Sequence, residues 1–319
     1  MLEIKKKRTL GRTGFEISEI GFGAWAIGGS AYGEVEEKKA KEAVKTYLEA
    51  GGNFIDTAEV YGESEKILGK VLEETEMTEE IFIASKSHNC ESRENITRIR
   101  EDLENALQSL NRDYIDLYYL HNPPSDTELR ERVLEEFEKF KKEGKIRAIG
   151  ASIKGADVTD KTVELCNQYI DTGKVDVIQL VYSIFRQKNA EIFDKAQDNN
   201  IGLVARTALE SGFLTGKYKP GHEFKDHRGR WQGEKLENIL KEVEKLKEEV
   251  VKPPYESLSQ VAIRFSLRPE EISTVIVGAK SKSQTEENIS VSHLPPLDEQ
   301  MISNLKDKYR GKTELFNTG

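Results

Sequence analysis

The sequence predicts an α/β fold, a (β/α)8 TIM barrel occupying residues 1–319 as one unit, with an N-terminal hairpin and a long loop/helix insertion after strand 7. Three observations carry this expectation. Eight short, β-rich apolar runs alternate with longer amphipathic segments. Most of the runs are apolar along their whole length, as strands buried on both faces should be. No break in composition divides the chain, and regular alternation of this kind builds a closed parallel sheet.

The elements follow in order. Leu2–Phe15 carries Gly11 and Gly14 and predicts a small hairpin plugging the barrel bottom. The expected strands are Ile20–Trp25, Asn53–Thr57, Ile81–Lys86, Tyr114–His121, Ile146–Ser152, Val177–Tyr182, Gly202–Thr207 and Thr274–Val277. Between them, Ala40, Ala43, Val44, Tyr47 and Leu48 keep the spacing of one helix face, and Gly51-Gly52 ends that helix with a left-handed cap. Ser92 and Asn95, then Ile96, Ile99, Leu103, Ala106, Leu107 and Leu110, predict a long capped helix. Val133, Phe137 and Phe140 mark the next, stopped at Gly144. Helices are also expected over Val163–Ile170, Ala190–Ala196, Val261–Leu267 and Glu299–Tyr309.

Residues 213–253 interrupt the alternation after the seventh strand, with Gly216, Gly221, Gly229 and Gly233 before a charged helix from Glu234 to Val250. Loops after barrel strands form the active face, so an insertion there is a functional candidate. The alternative fold is a doubly wound open sheet, which places a glycine-rich turn between its first strand and a helix. Residues 21–28 hold the glycines without a clear helix behind them.

The chain weighs 36.2 kDa and carries 48 Lys and Arg against 57 Asp and Glu, a formal net charge of −9. That balance gives no broad basic face for nucleic acid. Cys90 and Cys166 make neither a disulfide framework nor a zinc cluster, so no metal is expected. Met1–Leu10 has no apolar signal core, and no apolar run reaches the ~18 residues of a membrane helix. A cytoplasmic protein without membrane partners is expected, and its oligomeric state stays open.

In a barrel, polar residues at the C-terminal strand ends face the active site. Here they are Asp56 with Tyr61 just beyond, Lys86, His121, Ser152, Gln179, and Arg206 with Thr207. Singly, each has a plain structural use: Asp56 as a helix cap, Lys86 as a rim charge, Tyr61 as packing, His121 as a core histidine. Jointly they have a chemical logic. A phenol ordinarily loses its proton near pH ~10. A neighbouring ammonium favours the phenolate, and a buried ammonium needs a carboxylate to stay charged. An imidazole alongside orients a carbonyl. Such a set donates a proton to a carbonyl oxygen while another agent supplies hydride, which points to a nicotinamide cofactor.

Asn53 to Gly62 (NFIDTAEVYG), followed by Ser64-Glu65 and Leu68-Gly69, resembles the second-strand signature of the aldo-keto reductase family. Lys86 in Ala84-Ser85-Lys86 and His121 in Tyr119-Leu120-His121-Asn122-Pro123 match the family's other catalytic positions, and the resemblance covers nearly the whole chain. It implies an NADP(H)-dependent oxidoreductase, a carbonyl reductase or alcohol dehydrogenase acting on a small-molecule aldehyde or ketone, or on the corresponding alcohol. Tyr61 is then the general acid/base, Lys86 and Asp56 its tuning pair, and His121 the carbonyl-orienting residue. The alternative within the same fold is a cofactor-binding sensory or channel-regulatory subunit. A Schiff-base lyase using Lys86 explains neither the tyrosine nor the cofactor motifs.

The resemblance also implies cofactor contacts. Gly150-Ala151-Ser152 resembles a Gly-x-Ser turn whose serine holds the nicotinamide carboxamide, together with Gln179; Ile153 stands where the family is usually polar. Gly23, Trp25 and Asp56 join this set at the ends of the first two strands. Arg206, before Thr207, replaces the usual stacking aromatic; its planar cation can stack on a ring but beside a cationic NADP+ predicts weaker binding than NADPH. Leu209, Gly212, Leu214, Gly216 and Lys217 resemble the loop after the seventh strand, with Lys217 near the pyrophosphate. Gly278-Ala279-Lys280-Ser281 with Gln284, Glu287 and Asn288 resembles the adenine-end motif. Lys280 would pair with a 2′-phosphate, and Glu287 and Asn288 with the adenine amino group. Lys282 and Arg228 are further phosphate candidates, so NADP(H) is expected rather than NAD(H). Trp25, Tyr32, Tyr61, Phe185 and Trp231 are candidate apolar walls of the substrate pocket.

Overall fold

The computed structural model describes residues 2–29, 31–77 and 80–318. Each of the eight expected apolar runs overlaps one barrel strand; the third strand runs on to Ser87, and the eighth is longer than expected at both ends. In chain order these are β3 (Ile20–Gly23), β4 (Phe54–Asp56), β5 (Phe82–Ser87), β6 (Ile115–His121), β7 (Ile146–Ser152), β8 (Val177–Val181), β9 (Gly202–Arg206) and β10 (Ile272–Gly278). Every adjacent pair is parallel, and β10 pairs with both β9 and β3, which closes the barrel and excludes the open sheet.

Two side-chain layers explain why these sequences form strands. Outward residues such as Ile55, Ile83, Ile149 and Leu203 join the helices in one large core. Inward residues Phe54, Ala84, Leu117, Tyr119, Ala148, Val177 and Val204 fill the barrel interior. Side chains alternate along a strand, so the next inward positions toward the C-terminal ends are fixed. Those positions hold Asp56, Lys86, His121, Gln179 and Arg206, with Ser152 four residues beyond Ala148.

The N-terminal hairpin pairs β1 (Lys7–Thr9) with β2 (Glu16–Ser18) and sends Leu10, Phe15 and Ile17 into the lower interior. Its turn lies hard on the start of β9. Gly11 has φ +49°, and a Cβ there would sit 2.1 Å from the Gly202 nitrogen.

The helices α1 (Glu37–Glu49), α2 (Ser64–Thr75), α3 (Arg98–Leu110), α4 (Thr127–Lys142), α5 (Asp160–Asp171), α6 (Phe193–Asp198), α7 (Gly233–Val250), α8 (Leu258–Ser266), α9 (Lys282–Ser290) and α10 (Glu299–Tyr309) lie outside the strands. Two expectations need correction. The helix expected from Ser92 begins at Arg98; residues 93–95 form a separate 3-10 turn, and Ser92 makes no side-chain cap. The helix expected over Ala190–Ala196 is a 3-10 turn over Lys188–Ile192 running into the short α6.

The insertion after β9 packs its own aromatic core, with Phe213 rings 5.2, 5.3 and 5.5 Å from Phe224, Trp231 and Phe316. Trp231 is 1% exposed and donates from Nε1 to the Phe316 carbonyl at 3.2 Å, so it braces the insertion rather than walling a pocket. Phe185 is likewise buried, against Tyr309 and Phe316. Across the barrel mouth, His227 Nδ1 lies 2.8 Å from the Ala31 carbonyl oxygen, which ties the insertion to the loop after β3.

Candidate active site

The polar layer begins with one buried ion pair. Lys86 is 0% and Asp56 2% exposed, and Lys86 Nζ lies 2.6 Å from Asp56 Oδ1. The same ammonium donates to the Thr57 carbonyl at 2.6 Å. The other Asp56 oxygen, Oδ2, accepts from Gln179 Nε2 at 2.7 Å, and Gln179 Oε1 accepts from Ser152 Oγ at 2.8 Å. Strand register dictates this chain, because Ser152 and Gln179 are paired neighbours in β7 and β8. Each charge is thereby hydrogen-bonded as well as paired, which burial requires.

Tyr61 stands over this pair. Lys86 Nζ is 4.8 Å from its ring centroid. The Trp25 and His121 rings lie 5.9 and 6.0 Å from it, His121 nearly perpendicular at 87°. Burial first, then the charges of Lys86 and Arg206, push the His121 imidazolium pKa down to about 3. The ring is therefore neutral at physiological pH, and among the described residues its buried Nδ1 has no hydrogen-bond partner. The four residues thus form one cluster in which a neutral imidazole and a phenol lie beside a buried ammonium.

The neighbouring strand ends carry the other expected positions. Arg206 Nη2 donates to the Ile153 carbonyl at 2.7 Å, while among the described residues its buried Nε has no partner. Ile153 buries its side chain and contributes its backbone instead of a polar group. Thr207, Glu210, Ser211 and Gly212 all take positive φ, so the chain turns sharply past Leu209. Gly23 and Gly278 are paired neighbours at the ends of β3 and β10, and a Cβ on Gly278 would sit 3.3 Å from Ala26 Cβ, so this part of the rim is close-packed.

Beyond that rim, Lys280 Nζ donates to the Tyr32 carbonyl at 2.8 Å. Burial, then the charges of Arg228 and Lys217, lower its pKa, so three cations share one neighbourhood. Gln284 Oε1 accepts from the Lys280 backbone at 2.8 Å, and Asn288 Nδ2 donates to the Gly278 carbonyl at 3.3 Å. Arg228 is held by Asp226 and by Tyr218 Oη, the latter at 2.6 Å. Lys282 and Glu287 are exposed; Lys282 lies 4.0 Å from Glu286, and Glu287 accepts from Ser257 Oγ at 2.9 Å.

The family model for the aldo/keto reductase family matches residues 19–310. The chain belongs to this family. It is 31% identical to "Aldo-keto reductase YhdN" of Bacillus subtilis, over 86% of this chain and 85% of the relative. It is 30% identical to the "NADH-specific methylglyoxal reductase" of Escherichia coli, over 91% and 94%. It is 29% identical to a "Probable voltage-gated potassium channel subunit beta" of Arabidopsis thaliana, over 91% and 92%. Among solved structures, the holo form of aldo-keto reductase AKR11C1 from Bacillus halodurans superposes with a TM-score of 0.75 at 26% identity, covering 95% of each chain.

Aldo-keto reductases are oxidoreductases that use a nicotinamide cofactor. This chain's residues suit such a group: Lys280, Arg228 and Lys217 share one neighbourhood, and among the described residues the buried His121 Nδ1 and Arg206 Nε have no hydrogen-bond partner. Several residues that shape the site were not singled out from the sequence. Tyr119 sits below Lys86, with its ring centroid 5.7 Å from Nζ. Its two-residue spacing from His121 is the available signal. Gly28 lies against Tyr61, and His227 packs 4.4 Å from the ring of Tyr32, itself an expected pocket wall; these contacts join distant segments and leave no local pattern.

Proposed function

We propose that this aldo-keto reductase is NADP(H)-dependent and interconverts a small aldehyde or ketone with its alcohol. Bound at the polar rim, the nicotinamide would supply the hydride that no side chain can. Neutral His121 donates a hydrogen bond to the substrate carbonyl and fixes its orientation. Tyr61 delivers the proton to the carbonyl oxygen during reduction and removes it during oxidation. The Lys86 ammonium stabilises negative charge on the phenolic oxygen, and Asp56 keeps that ammonium charged in a buried place. The observation carrying the reading is Lys86 Nζ poised between Asp56 Oδ1, at 2.6 Å, and the Tyr61 ring, at 4.8 Å.

The 2′-phosphate preference rests on the clustering of Lys280 with Arg228 and Lys217. The apolar rings of Trp25 and Tyr61 favour a small carbonyl compound. A regulatory role like that named for the potassium-channel relative is the second reading, and retention of Asp56, Tyr61, Lys86 and His121 favours catalysis over it. The test is NADPH and NADH consumption over aldehydes, ketones, sugars and dicarbonyls, with Tyr61→Phe as control. Turnover with NADPH, lost by about 10²-fold or more in Tyr61→Phe while NADPH still binds, supports the reading. Tight NADPH binding without turnover on any substrate favours the regulatory subunit, and equal use of NADH removes the 2′-phosphate assignment.

A further inference from the structure

Outside the hydride-transfer machinery, one group of three metal-ligating side chains converges among the described residues: Glu59, His88 and Asp102. Glu59 lies in the loop between Asp56 and Tyr61, His88 directly follows β5, and Asp102 projects from α3. One ligand atom from each lies within 4.8 Å of the others. His88 Nδ1 is turned inward, in hydrogen-bond contact with Glu59 Oε1. Asp102 is 6% exposed, and its carboxylate is oriented by Ser87 Oγ and by Asn89 Nδ2 at 2.9 and 3.0 Å. Outer hydrogen bonds of this kind fix a carboxylate for metal binding.

The charges are unbalanced. Among the described residues, neither Glu59 nor Asp102 has a Lys or Arg within ion-pair distance; His88 is the only basic group on Glu59. Two adjacent carboxylates withdrawn from water must share a proton or accept a cation. The His88 side chain is 50% exposed and that of Glu59 17%, so one side of the group is open for ion entry and for water ligands.

We propose that Glu59, His88 and Asp102 form a binding site for a divalent transition metal of the zinc class. One imidazole nitrogen and two carboxylate oxygens suit zinc, with water in the fourth position, whereas magnesium and calcium take oxygen ligands alone. The ion would join the loop carrying Tyr61 to the end of the strand carrying Lys86. The inference is independent of the reductase reading, because it uses neither cofactor nor substrate.

The test is calorimetric titration of the full chain with ZnCl2, with MgCl2 for comparison, on wild type and on His88→Ala. Half-exposed His88 can be truncated without opening the core. Expected are one saturable zinc per chain, a rise in melting temperature with zinc, and at least about tenfold weaker binding in His88→Ala. Asp102→Asn, checked for folding by circular dichroism, should weaken zinc binding as well. Absence of saturable zinc uptake by wild type overturns the proposal, as does uptake unchanged by His88→Ala. Magnesium binding as tight as zinc overturns the metal class.

Discussion

A Cβ placed on Gly28 would fall 1.5 Å from the carbonyl oxygen of Tyr61. Gly28 has φ −77° and ψ −7°, an ordinary conformation for any residue, so packing alone excludes a side chain there. The Gly28 carbonyl also accepts from the Glu63 amide at 3.2 Å, so the loop after β3 grips the loop that presents Tyr61. Gly28→Ala must therefore displace Tyr61 from above Lys86. The expected result is a fall in carbonyl reduction of about 10²-fold, since roughly 1 Å of misplacement costs that much. Steady-state kinetics beside a thermal melt would check it; activity near wild type would show that this contact does not position the phenol.

Asp56 and Lys86 should behave as one energetic unit. Removing either partner leaves an uncompensated buried charge, which costs about 3–5 kcal/mol. Removing both, as in Asp56→Asn with Lys86→Met, leaves none. The double variant should then be less destabilised than the sum of the single variants by about 0.5–3 kcal/mol, the range for contacting residues. Urea denaturation of the four proteins measures this coupling, and strict additivity would contradict it.

The barrel and the polar layer were legible in the sequence for the same reason. A strand buried on both faces writes itself as a continuous apolar run, and alternation then marks which residue reaches the mouth. Phe54 to Asp56, Ala84 to Lys86, Val177 to Gln179 and Val204 to Arg206 each step two residues along the same inward face. What stayed hidden depends on approach between distant segments. Trp231 reads as a pocket wall until Phe213 and Phe316 are seen to enclose it. Ser92 reads as a cap, yet the chain makes a 3-10 turn before α3 begins. The Glu59, His88 and Asp102 group draws on three segments and has no local spacing at all.

His121 makes a contribution to acid sensitivity whose sign is fixed. Its folded pKa is about 3, against the ordinary value of 6.5. Between those values the unfolded chain binds the proton and the native chain does not. Stability therefore falls as pH drops from about 6.5 toward 3, and this loss is complete below the folded value. Urea midpoints measured from pH 7 down to pH 4 should decline less in His121→Gln than in wild type. An equal or steeper decline in the variant would falsify the assignment of a neutral, buried imidazole. For the same reason, carbonyl reduction should show no limb near pH 6.5 from this residue.

Arg206 sets an expectation about the redox state of the bound cofactor. Its guanidinium is confined: Nη2 reaches the Ile153 carbonyl at 2.7 Å, and a Cβ on Gly155 would sit 2.7 Å from that same nitrogen. Among the described residues, no carboxylate lies within ion-pair distance of it to offset its charge. If the nicotinamide lies over this group, the oxidised ring brings a second positive charge to it and the reduced ring does not. Like charges a few ångströms apart in a partly desolvated cleft repel by more than 1 kcal/mol, about a tenfold effect on binding. NADPH should thus bind more tightly than NADP+, and Arg206→Tyr should narrow the ratio by restoring a neutral stacking surface. Dissociation constants for both forms, from fluorescence titration of the two proteins, decide the matter. Equal affinities in wild type, or a ratio unmoved by Arg206→Tyr, would place the guanidinium away from the reacting ring.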